Sequence, residues 1–271
     1  MPALSRLLTI AGSDSGGGAG IQADLKTFAA HGAYGMSAIV VLTAQNTREV
    51  RAVHGAPAEF VGQQIDAVFE DLGVDGVKIG MLATPELVRT VADRLRFHAR
   101  PGLPIVLDPV MIAKSGARLL SEEAVATLRE ELLPHATIVT PNLPELVELS
   151  GRPSATETER LAAAAEIGAL GPAVLVKGGH GDGDELIDLL WTPDGVHRFV
   201  HRRIASRSTH GTGCTLSSAI AARLARGEAL AEAVGGAIEY LRGAIAAAVP
   251  LGQGAGPVDH LYRFARGEGF A

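Results

Sequence analysis

The sequence predicts an α/β protein whose mostly parallel β-sheet is covered by helices on both faces. Short, continuous apolar runs alternate along the chain with segments of helical periodicity, and strands of that kind are buried on both faces of a sheet. Six of these runs end directly in a Gly-, Pro- or polar-rich segment. Because the carboxyl ends of parallel strands share one edge of a sheet, the six segments are expected to line a single site.

Composition limits the classes of protein that remain. The chain has 271 residues, of which 47% are hydrophobic and 20% charged, as in ordinary soluble globular proteins. Its net charge of -6 and the absence of a Lys/Arg block argue against a nucleic-acid surface. The single cysteine excludes an internal disulfide, and no apolar run is long enough for a membrane span. We therefore expect one cytoplasmic domain, residues 1–271, with neither nucleic acid nor a membrane as a partner.

The first half of the chain alternates strands and helices in a regular order. Helices are assigned where apolar residues recur every three or four positions, as Ile21, Leu25 and Phe28 do. In order, the expected elements are strand 7–10, Gly-rich segment 11–20, helix 21–29, strand 38–42, polar segment 43–47, strand 50–53, helix 60–72, strand 77–79, segment 80–82 and helix 87–95.

The second half continues the pattern and adds one antiparallel pair. Strands 186–191 and 196–200 flank the turn sequence Pro193-Asp194-Gly195, which is typical of a hairpin. In order, the expected elements are strand 105–107, segment 108–111, a helix around 125–128, strand 137–139, segment 140–145, helices from about 143 and about 158, strand 173–176, segment 177–180, the hairpin, and helices 212–226 and 230–248.

The segment at 206–218, with the sequence SRSTHGTGCTLSS, is the strongest candidate for a functional loop. Gly211 and Gly213 allow a tight turn that leads into a helix beginning near Thr212. The free N–H groups and the positive dipole end of such a helix favour an anion such as phosphate. Cys214 in the first turn is expected to ionise more easily than a free thiol. The alternative is a tight loop before a buried helix, with Cys214 as a small apolar residue.

Three further segments carry charged residues toward the same edge. Asp108 and Glu145 each follow an apolar run, and Lys177 follows a third. Two carboxylates without histidines suit Mg²⁺ held through water and phosphate, and a lysine beside an anion site suits a transferring phosphoryl group. Each residue alone also fits an ordinary strand end, helix N terminus or solvated loop. No P-loop, dinucleotide-binding fingerprint or His/Cys metal motif is present, so the joint placement favours phosphoryl transfer on another fold.

Seven sequence motifs occur along the chain in one order: AGSDSGGGAGIQADLKTF, TAQNT, KIGML, DPVMIAKSG, TPNLPE, VKGGH and HGTGCTLSSA. Together they resemble the hydroxymethylpyrimidine/phosphomethylpyrimidine kinases of thiamine biosynthesis. The resemblance runs from about Leu7 to the GPVDHL sequence ending at Leu261, nearly the whole chain. It implies a ribokinase-like three-layer sandwich that uses ATP and Mg²⁺. It also implies phosphorylation of 4-amino-5-hydroxymethyl-2-methylpyrimidine, and then of its monophosphate to the diphosphate.

The resemblance further implies roles for individual residues. The expected substrate-binding residues are Gly12, Asp24, Gln45 and Met81. The expected ATP-binding residues are Lys177, Thr212, Glu145 and Asp108, of which the two carboxylates also hold Mg²⁺. The expected catalytic residues are Cys214, Gly211, Gly213 and Lys177. Side-chain carboxylate and amide groups can pair with the amino group and ring nitrogens of a pyrimidine, and a methionine gives an adaptable apolar contact.

Cys214 occupies the position where many ribokinase-like enzymes have an aspartate base, in a GTGD pattern. A cysteine there is usual in the hydroxymethylpyrimidine branch that the chain resembles. A thiolate could accept the proton of the substrate hydroxyl. Alternatively, positioning and charge neutralisation dominate the reaction and a base matters less.

Three rival functions remain open at this point. A pyridoxal kinase is the nearest, because pyridoxal resembles the pyrimidine substrate, although the amide of Gln45 suits an aminopyrimidine. A non-catalytic binding protein is disfavoured by the intact set of charged residues, and a Cys-nucleophile hydrolase by the lack of an orienting histidine. We also expect a homo-oligomer, most simply a dimer, and a mobile segment within 113–120.

Overall fold

The computed structural model describes residues 4–111, 120–180 and 184–264. Within these ranges the strands are Arg6–Ser13 (β1), Tyr34–Gln45 (β2), Val50–Gly55 (β3), Gly76–Ile79 (β4), Ile105–Leu107 (β5), Ile138–Val139 (β6), Ala173–Val176 (β7), Glu185–Thr192 (β8) and Gly195–Arg202 (β9). They form one sheet in the order β3-β2-β1-β4-β5-β6-β7-β8-β9. The segment expected to be mobile lies outside the described residues, except for Leu120.

Helices connect most of these strands. In the same ranges the α-helices are Gly20–Ala30 (α1), Ala58–Ala67 (α2), Pro85–His98 (α3), Glu122–Thr127 (α4), Leu143–Ser150 (α5), Glu157–Gly168 (α6), Thr212–Leu224 (α7) and Leu230–Ala247 (α8). One π-helical turn extends α2 over Val68–Leu72, and another extends α4 over Leu128–Leu132. None of the helices in the described part of the chain is both long and apolar enough to cross a membrane.

The centre of the sheet is parallel and its edges are antiparallel. The pairings from β2 through β1, β4, β5 and β6 to β7 are all parallel, whereas β3, β8 and β9 pair antiparallel. The chain leaves β1 toward β2 on one side and later returns to place β4 on the other side. The strand order therefore reverses at β1, and a crevice opens at the carboxyl ends of the strands, where open α/β sheets bind ligands.

Two apolar cores cover the two faces of the sheet, which confirms the predicted three-layer arrangement. Neighbouring residues of β1 alternate between them, since Leu8 and Ile10 belong to one core and Leu7 to the other. The first core receives side chains from α2 to α6, and the second receives those of α1, α7 and α8, including Phe28 and Ile220. The strands are continuous apolar runs because both of their faces are buried.

The predicted hairpin is confirmed, but the polar segment 43–47 is not simply a loop. Strands β8 and β9 pair from Glu185↔Arg202 to Thr192↔Gly195, around the expected turn. The expectation of a loop is wrong for Thr43 to Gln45, which continue β2 because β3 pairs with them antiparallel, ending at Gln45↔Val50. The side chain of Gln45 is therefore presented by a strand, which restricts its position more than a loop would.

Candidate active site

A cavity of about 940 Å³ opens at the carboxyl edge of the sheet. It has the size of a small-molecule site. Ten of the eleven residues expected from the sequence line it: Gly12, Gln45, Met81, Asp108, Glu145, Lys177, Gly211, Thr212, Gly213 and Cys214. The eleventh, Asp24, does not. Residues from all parts of the chain therefore meet where the strand order predicted a shared site.

Asp108, Glu145 and Lys177 form a charged cluster on one wall of the cavity. The Lys177 Nζ lies 2.9 Å from Asp108 Oδ1 and 3.9 Å from Glu145 Oε2. Burial alone would raise the pKa of Asp108, but the charges of Lys177 and Lys78 hold it below its usual range. Burial likewise opposes the charge of Lys177, and the two carboxylates raise its pKa. The ammonium group is therefore charged and directed at the cavity.

Glu145 caps a helix and also lines the cavity. It caps helix α5, because its Oε2 accepts a hydrogen bond from the Asn142 backbone while the Asn142 side chain accepts one from the Glu145 backbone. The sequence left a helix N-terminal residue and a metal ligand as alternatives; the helix N-terminal position is confirmed, and the role of metal ligand stays a prediction. Burial raises the pKa of Glu145 to about 7, and the charge of Asp108 adds to the rise while Lys177 opposes it.

The carboxylates of Asp108 and Glu145 fit a Mg²⁺ ion of the kind that kinases use. No group of three or more His, Cys, Asp or Glu side chains suited to a metal ion occurs within the described ranges. Mg²⁺ does not require such a group, because it is usually bound by one or two carboxylates together with waters and substrate phosphates. Two carboxylates beside one ammonium group provide that incomplete set of oxygen ligands, which phosphate oxygens of a nucleotide would complete.

Helix α7 begins at the floor of the cavity with the expected glycine turn. Gly211 caps the helix with a φ of 79°, in the left-handed region, and a Cβ there would overlap the backbone carbonyl of Gly18. A Cβ on Gly213 would lie 3.2 Å from Asp108 Oδ2 and 3.5 Å from Lys177 Nζ. The free N–H groups of the first turn are therefore beside the charged cluster, an arrangement that suits an anion.

His260 supports this turn through Thr215. The Thr215 Oγ1 donates a hydrogen bond to the Gly211 carbonyl at 2.8 Å and lies 3.1 Å from His260 Nε2. Because the hydroxyl proton is already used, His260 donates and Thr215 accepts. Burial lowers the pKa of His260 to about 4, so the ring is neutral near pH 7. Sequence reasoning gave His260 no partner, and nothing in its neighbourhood along the chain would have revealed one.

Cys214 does not have the easily ionised thiol that its helix position suggested. The residue is half-buried, and burial raises the pKa of its thiol to about 11, with the charges of Asp24 and Asp108 adding to the rise against Lys78. The prediction of a lowered pKa is therefore wrong, since desolvation and nearby carboxylates outweigh the helix dipole. Near pH 7 the group is a neutral thiol.

This neutral thiol predicts slow alkylation. We expect iodoacetamide to modify Cys214 more slowly than a free cysteine at pH 8, with a rate that rises about tenfold per pH unit up to the thiol pKa of about 11. Mass spectrometry of the only cysteine measures the rate, and unfolded protein in urea is the control for the intrinsic reactivity. A rate that levels off below pH 8 would contradict the raised pKa.

Asp24 lies behind the cavity wall rather than in the pyrimidine pocket. Its side chain is completely buried, and its carboxylate accepts hydrogen bonds from Thr9 Oγ1, Lys78 Nζ and Ser218 Oγ at 2.6, 2.9 and 2.7 Å. The expectation that Asp24 contacts the substrate directly is therefore wrong, because three hydrogen-bond partners enclose its carboxylate. Lys78, which does line the cavity, separates Asp24 from it.

The buried pair formed by Lys78 and Asp24 is expected to matter for stability. Burial disfavours the charge of Lys78, but Asp24 and the other anionic groups around it raise the pKa of the lysine above its usual value. Lys78→Met would leave the Asp24 carboxylate buried without its cation. We expect a loss of about 3–5 kcal/mol in the free energy of unfolding, measured by urea denaturation.

An exposed ion pair supplies the control for this prediction. Arg198 and Glu157 are paired at 3.0 Å with side chains about half exposed, so Arg198→Met should cost less than about 1 kcal/mol. Equal losses in the free energy of unfolding for Lys78→Met and Arg198→Met would show that the buried pair contributes no more to stability than an exposed pair.

Asp14 is a site residue that the sequence analysis did not single out. Its carboxylate accepts backbone hydrogen bonds from Gly16, Gly18 and Ala19 at 2.8–3.0 Å and one from His210 Nε2 at 2.9 Å. Burial pushes the pKa of Asp14 up, but the hydrogen bonds from His210 and the backbone hold it below its usual range. Asp14 thus joins the Gly-rich loop after β1 to the loop before α7. Its place inside SDSGGG was a signal for a loop-ordering acid.

The fold and this edge together define a class of protein. A mostly parallel sheet in three layers has an anion-binding helix, a charged lysine and two carboxylates at a single crevice, without a P-loop. These are the features of a ribokinase-like small-molecule kinase.

The chain belongs to the phosphomethylpyrimidine kinase family, whose sequence model matches residues 14–259. It is 55% identical over 261 residues to the hydroxymethylpyrimidine/phosphomethylpyrimidine kinase of Rhizobium meliloti, covering 95% of this chain and 97% of that one. It is 50% identical to the thiamine biosynthesis bifunctional protein ThiED of Geobacter sulfurreducens, of which it spans about half, 52%. Among solved structures, a Bacillus subtilis pyridoxal kinase in an ADP complex superimposes with a TM-score of 0.88 at 36% identity, covering 97% of this chain and all of the other.

Proposed function

We propose that the protein transfers the γ-phosphoryl group of ATP to the hydroxymethyl group of 4-amino-5-hydroxymethyl-2-methylpyrimidine, and then phosphorylates the monophosphate to the diphosphate, in thiamine biosynthesis. The observation that carries the proposal is that Gln45 and Met81 line the same cavity as the cluster of Lys177, Asp108 and Glu145. Hydrogen-bonding and apolar groups that suit a pyrimidine are thus within one site with groups that suit a triphosphate.

The cationic groups of the site account for the chemistry. Phosphoryl transfer depends mainly on positioning and on neutralising charge spread over the phosphoryl oxygens. Lys177 and the N–H groups at the start of α7 would supply that positive field in a partly enclosed site. Mg²⁺ held by Asp108 and Glu145 would neutralise further phosphate charge when bound. In this proposal the neutral thiol of Cys214 contacts the substrate hydroxyl, ADP leaves, and the hydroxyl proton passes to the transferred phosphoryl group, so no thiolate base is required.

Pyridoxal kinase is the second candidate, because the Bacillus subtilis enzyme shares the fold over the whole chain. The identity to hydroxymethylpyrimidine/phosphomethylpyrimidine kinases is higher, at 55% for the Rhizobium meliloti enzyme, and this supports the pyrimidine substrate. The test is ³¹P NMR of the purified protein with MgATP and, separately, the hydroxymethylpyrimidine, its monophosphate and pyridoxal. Conversion of both pyrimidines with slow conversion of pyridoxal supports the proposal. Conversion of pyridoxal alone would replace it with the second candidate.

Three further properties are part of the proposal. One sheet contains strands from Arg6 to Arg202, which supports a single domain over residues 1–271. The substrates would be small molecules only, and the protein would act in the cytoplasm. We also propose a homodimer, which light scattering of the purified protein would test directly.

A further inference from the structure

His210 connects two groups on the wall of the cavity. Its Nε2 lies 2.9 Å from Asp14 Oδ2 and 3.2 Å from Gln45 Nε2. All three residues line the cavity. One ring nitrogen thus contacts both a carboxylate and the amide that the proposed function places against the pyrimidine.

The carboxylate decides where the proton of His210 lies. The Oδ2 of Asp14 already accepts hydrogen bonds from the backbone N–H groups of Gly18 and Ala19 at 3.0 and 2.9 Å, so it acts as an acceptor. An unprotonated ring nitrogen at 2.9 Å would bring two acceptors together. The Nε2 of His210 therefore carries a hydrogen and donates it toward Asp14.

A protonated Nε2 in turn restricts the amide of Gln45. Two N–H donors cannot hydrogen-bond to one another, so the Gln45 amide has to be turned over, with Oε1 in place of Nε2 facing His210. The other end then carries the NH₂ group. His210 would donate one N–H shared between the Asp14 carboxylate and the Gln45 carbonyl.

Thr43 independently requires the same orientation. Its Oγ1 donates a hydrogen bond to the Ser13 carbonyl at 2.8 Å, which uses its single proton. Gln45 Oε1 lies 3.4 Å from this Oγ1. Because Thr43 can only accept there, the amide end next to it has to be NH₂. The two neighbours at opposite ends of the amide therefore agree.

We propose that His210, held by Asp14 and assisted by Thr43, fixes the orientation of the Gln45 amide and thereby sets a preference for an aminopyrimidine over pyridoxal. His210 is a positioning residue in this role. The proposed substrate preference rests on the proposed function, whereas the proposed orientation of the Gln45 amide does not. A fixed amide keeps one N–H for an acceptor on the ligand, such as the unprotonated ring nitrogen of a pyrimidine. The more basic pyridine nitrogen of pyridoxal carries a proton near pH 7 and offers a donor instead, to which only a freely turning amide would adapt.

The first experiment determines the proton position on His210. Long-range ¹H–¹⁵N correlation spectra of the wild-type protein report which ring nitrogens are protonated, and the signals missing from His210→Phe assign the residue. We expect a protonated Nε2. An unprotonated Nε2 would overturn the proposed amide orientation, whatever the substrate is.

The second experiment measures substrate preference in two independent variants. His210→Phe keeps the ring without its N–H, and Thr43→Val keeps the shape without the hydroxyl. We expect each to raise the KM for the hydroxymethylpyrimidine on the order of 10-fold, as for loss of one well-oriented hydrogen bond, with a smaller change for pyridoxal. Thr43→Ser, which retains the hydroxyl, should rescue the preference, and the exposed His197→Phe should have no effect.

The outcomes distinguish a role of His210 in positioning the Gln45 amide from a general disturbance of the loop. They also distinguish it from failure of the proposed function. Equal losses of kcat for both substrates, without a change in preference, would indicate only a disturbed loop and would overturn the proposal. Failure of Thr43→Ser to rescue the preference would overturn it as well. If the wild-type protein binds no pyrimidine, the proposed function and the proposed substrate preference both fail. The proton position on His210 still tests the orientation of the Gln45 amide in that case.

Discussion

Lys177→Met is expected to lower kcat by about 10²–10³-fold, as for the loss of one preorganised group that stabilises transition-state charge. The Nζ of Lys177 lies 2.9 Å from Asp108 and close to the glycine turn of α7. Removing it leaves the two carboxylates without the ammonium group that offsets part of their charge, and they then repel a triphosphate. We therefore also expect weaker binding of ATP, measured by calorimetry, beside the loss of turnover measured by ADP release.

Two variants control this result. Lys177→Arg keeps a positive charge, so it should bind ATP better than Lys177→Met while remaining slower than wild type, because the fork of arginine is larger than an ammonium group. Arg198→Met removes one positive charge from a half-exposed surface position and should leave kcat unchanged. A Lys177→Met protein that unfolds like the wild type and turns over at the wild-type rate would remove Lys177 from catalysis.

Gly211→Ala is expected to lower kcat by about 100-fold or more, because it displaces the anion site. The backbone at Gly211 has a φ of 79°, and a Cβ there would overlap the Gly18 carbonyl of the Gly-rich loop. Alanine pays roughly 1–2 kcal/mol for the left-handed conformation alone. The Cβ would also overlap the backbone of Gly18, which cannot move aside as a side chain could. The turn that carries the first N–H groups of α7 would therefore be displaced.

Gly227 offers a matched control, because it has nearly the same backbone conformation without the contact. Its φ is 84°, and nothing lies within 4 Å of a Cβ at that position. Gly227→Ala should therefore lose stability through strain and retain kcat, whereas Gly211→Ala should lose both. Steady-state kinetics and thermal unfolding of the two variants make the comparison. Equal kinetics in the two variants would show that the contact with Gly18 has no part in the anion site.

The sequence predicted the fold and most of the cavity because both follow from local patterns. Continuous apolar runs and helical periodicity give the layers, and strand ends share an edge, so residues as distant as Gly12 and Lys177 could be placed together. The extension of β2 to Gln45 was missed because it depends on pairing with β3, a contact that no local pattern encodes.

The remaining errors concern burial and partners in space. The helix N terminus suggested a lowered pKa for the Cys214 thiol, and this was wrong because desolvation, which only the packed structure reveals, raises it. Asp24 was placed in the pocket by motif, and its enclosure by Thr9, Lys78 and Ser218 depends on three different elements. Each error arises where long-range packing overrides a local rule.

The bond between Asp14 and His210 has a consequence for how the protein is made. The two residues are 196 positions apart, so a ribosome adding about 5–20 residues per second needs roughly 10–40 s between them. During that interval the Gly-rich loop has only partners that are made early, such as Gln22, Lys26 and Gln45, and it lacks His210. A growing chain therefore cannot complete the cavity until its last quarter, which includes His210 and helix α7, has emerged and docked.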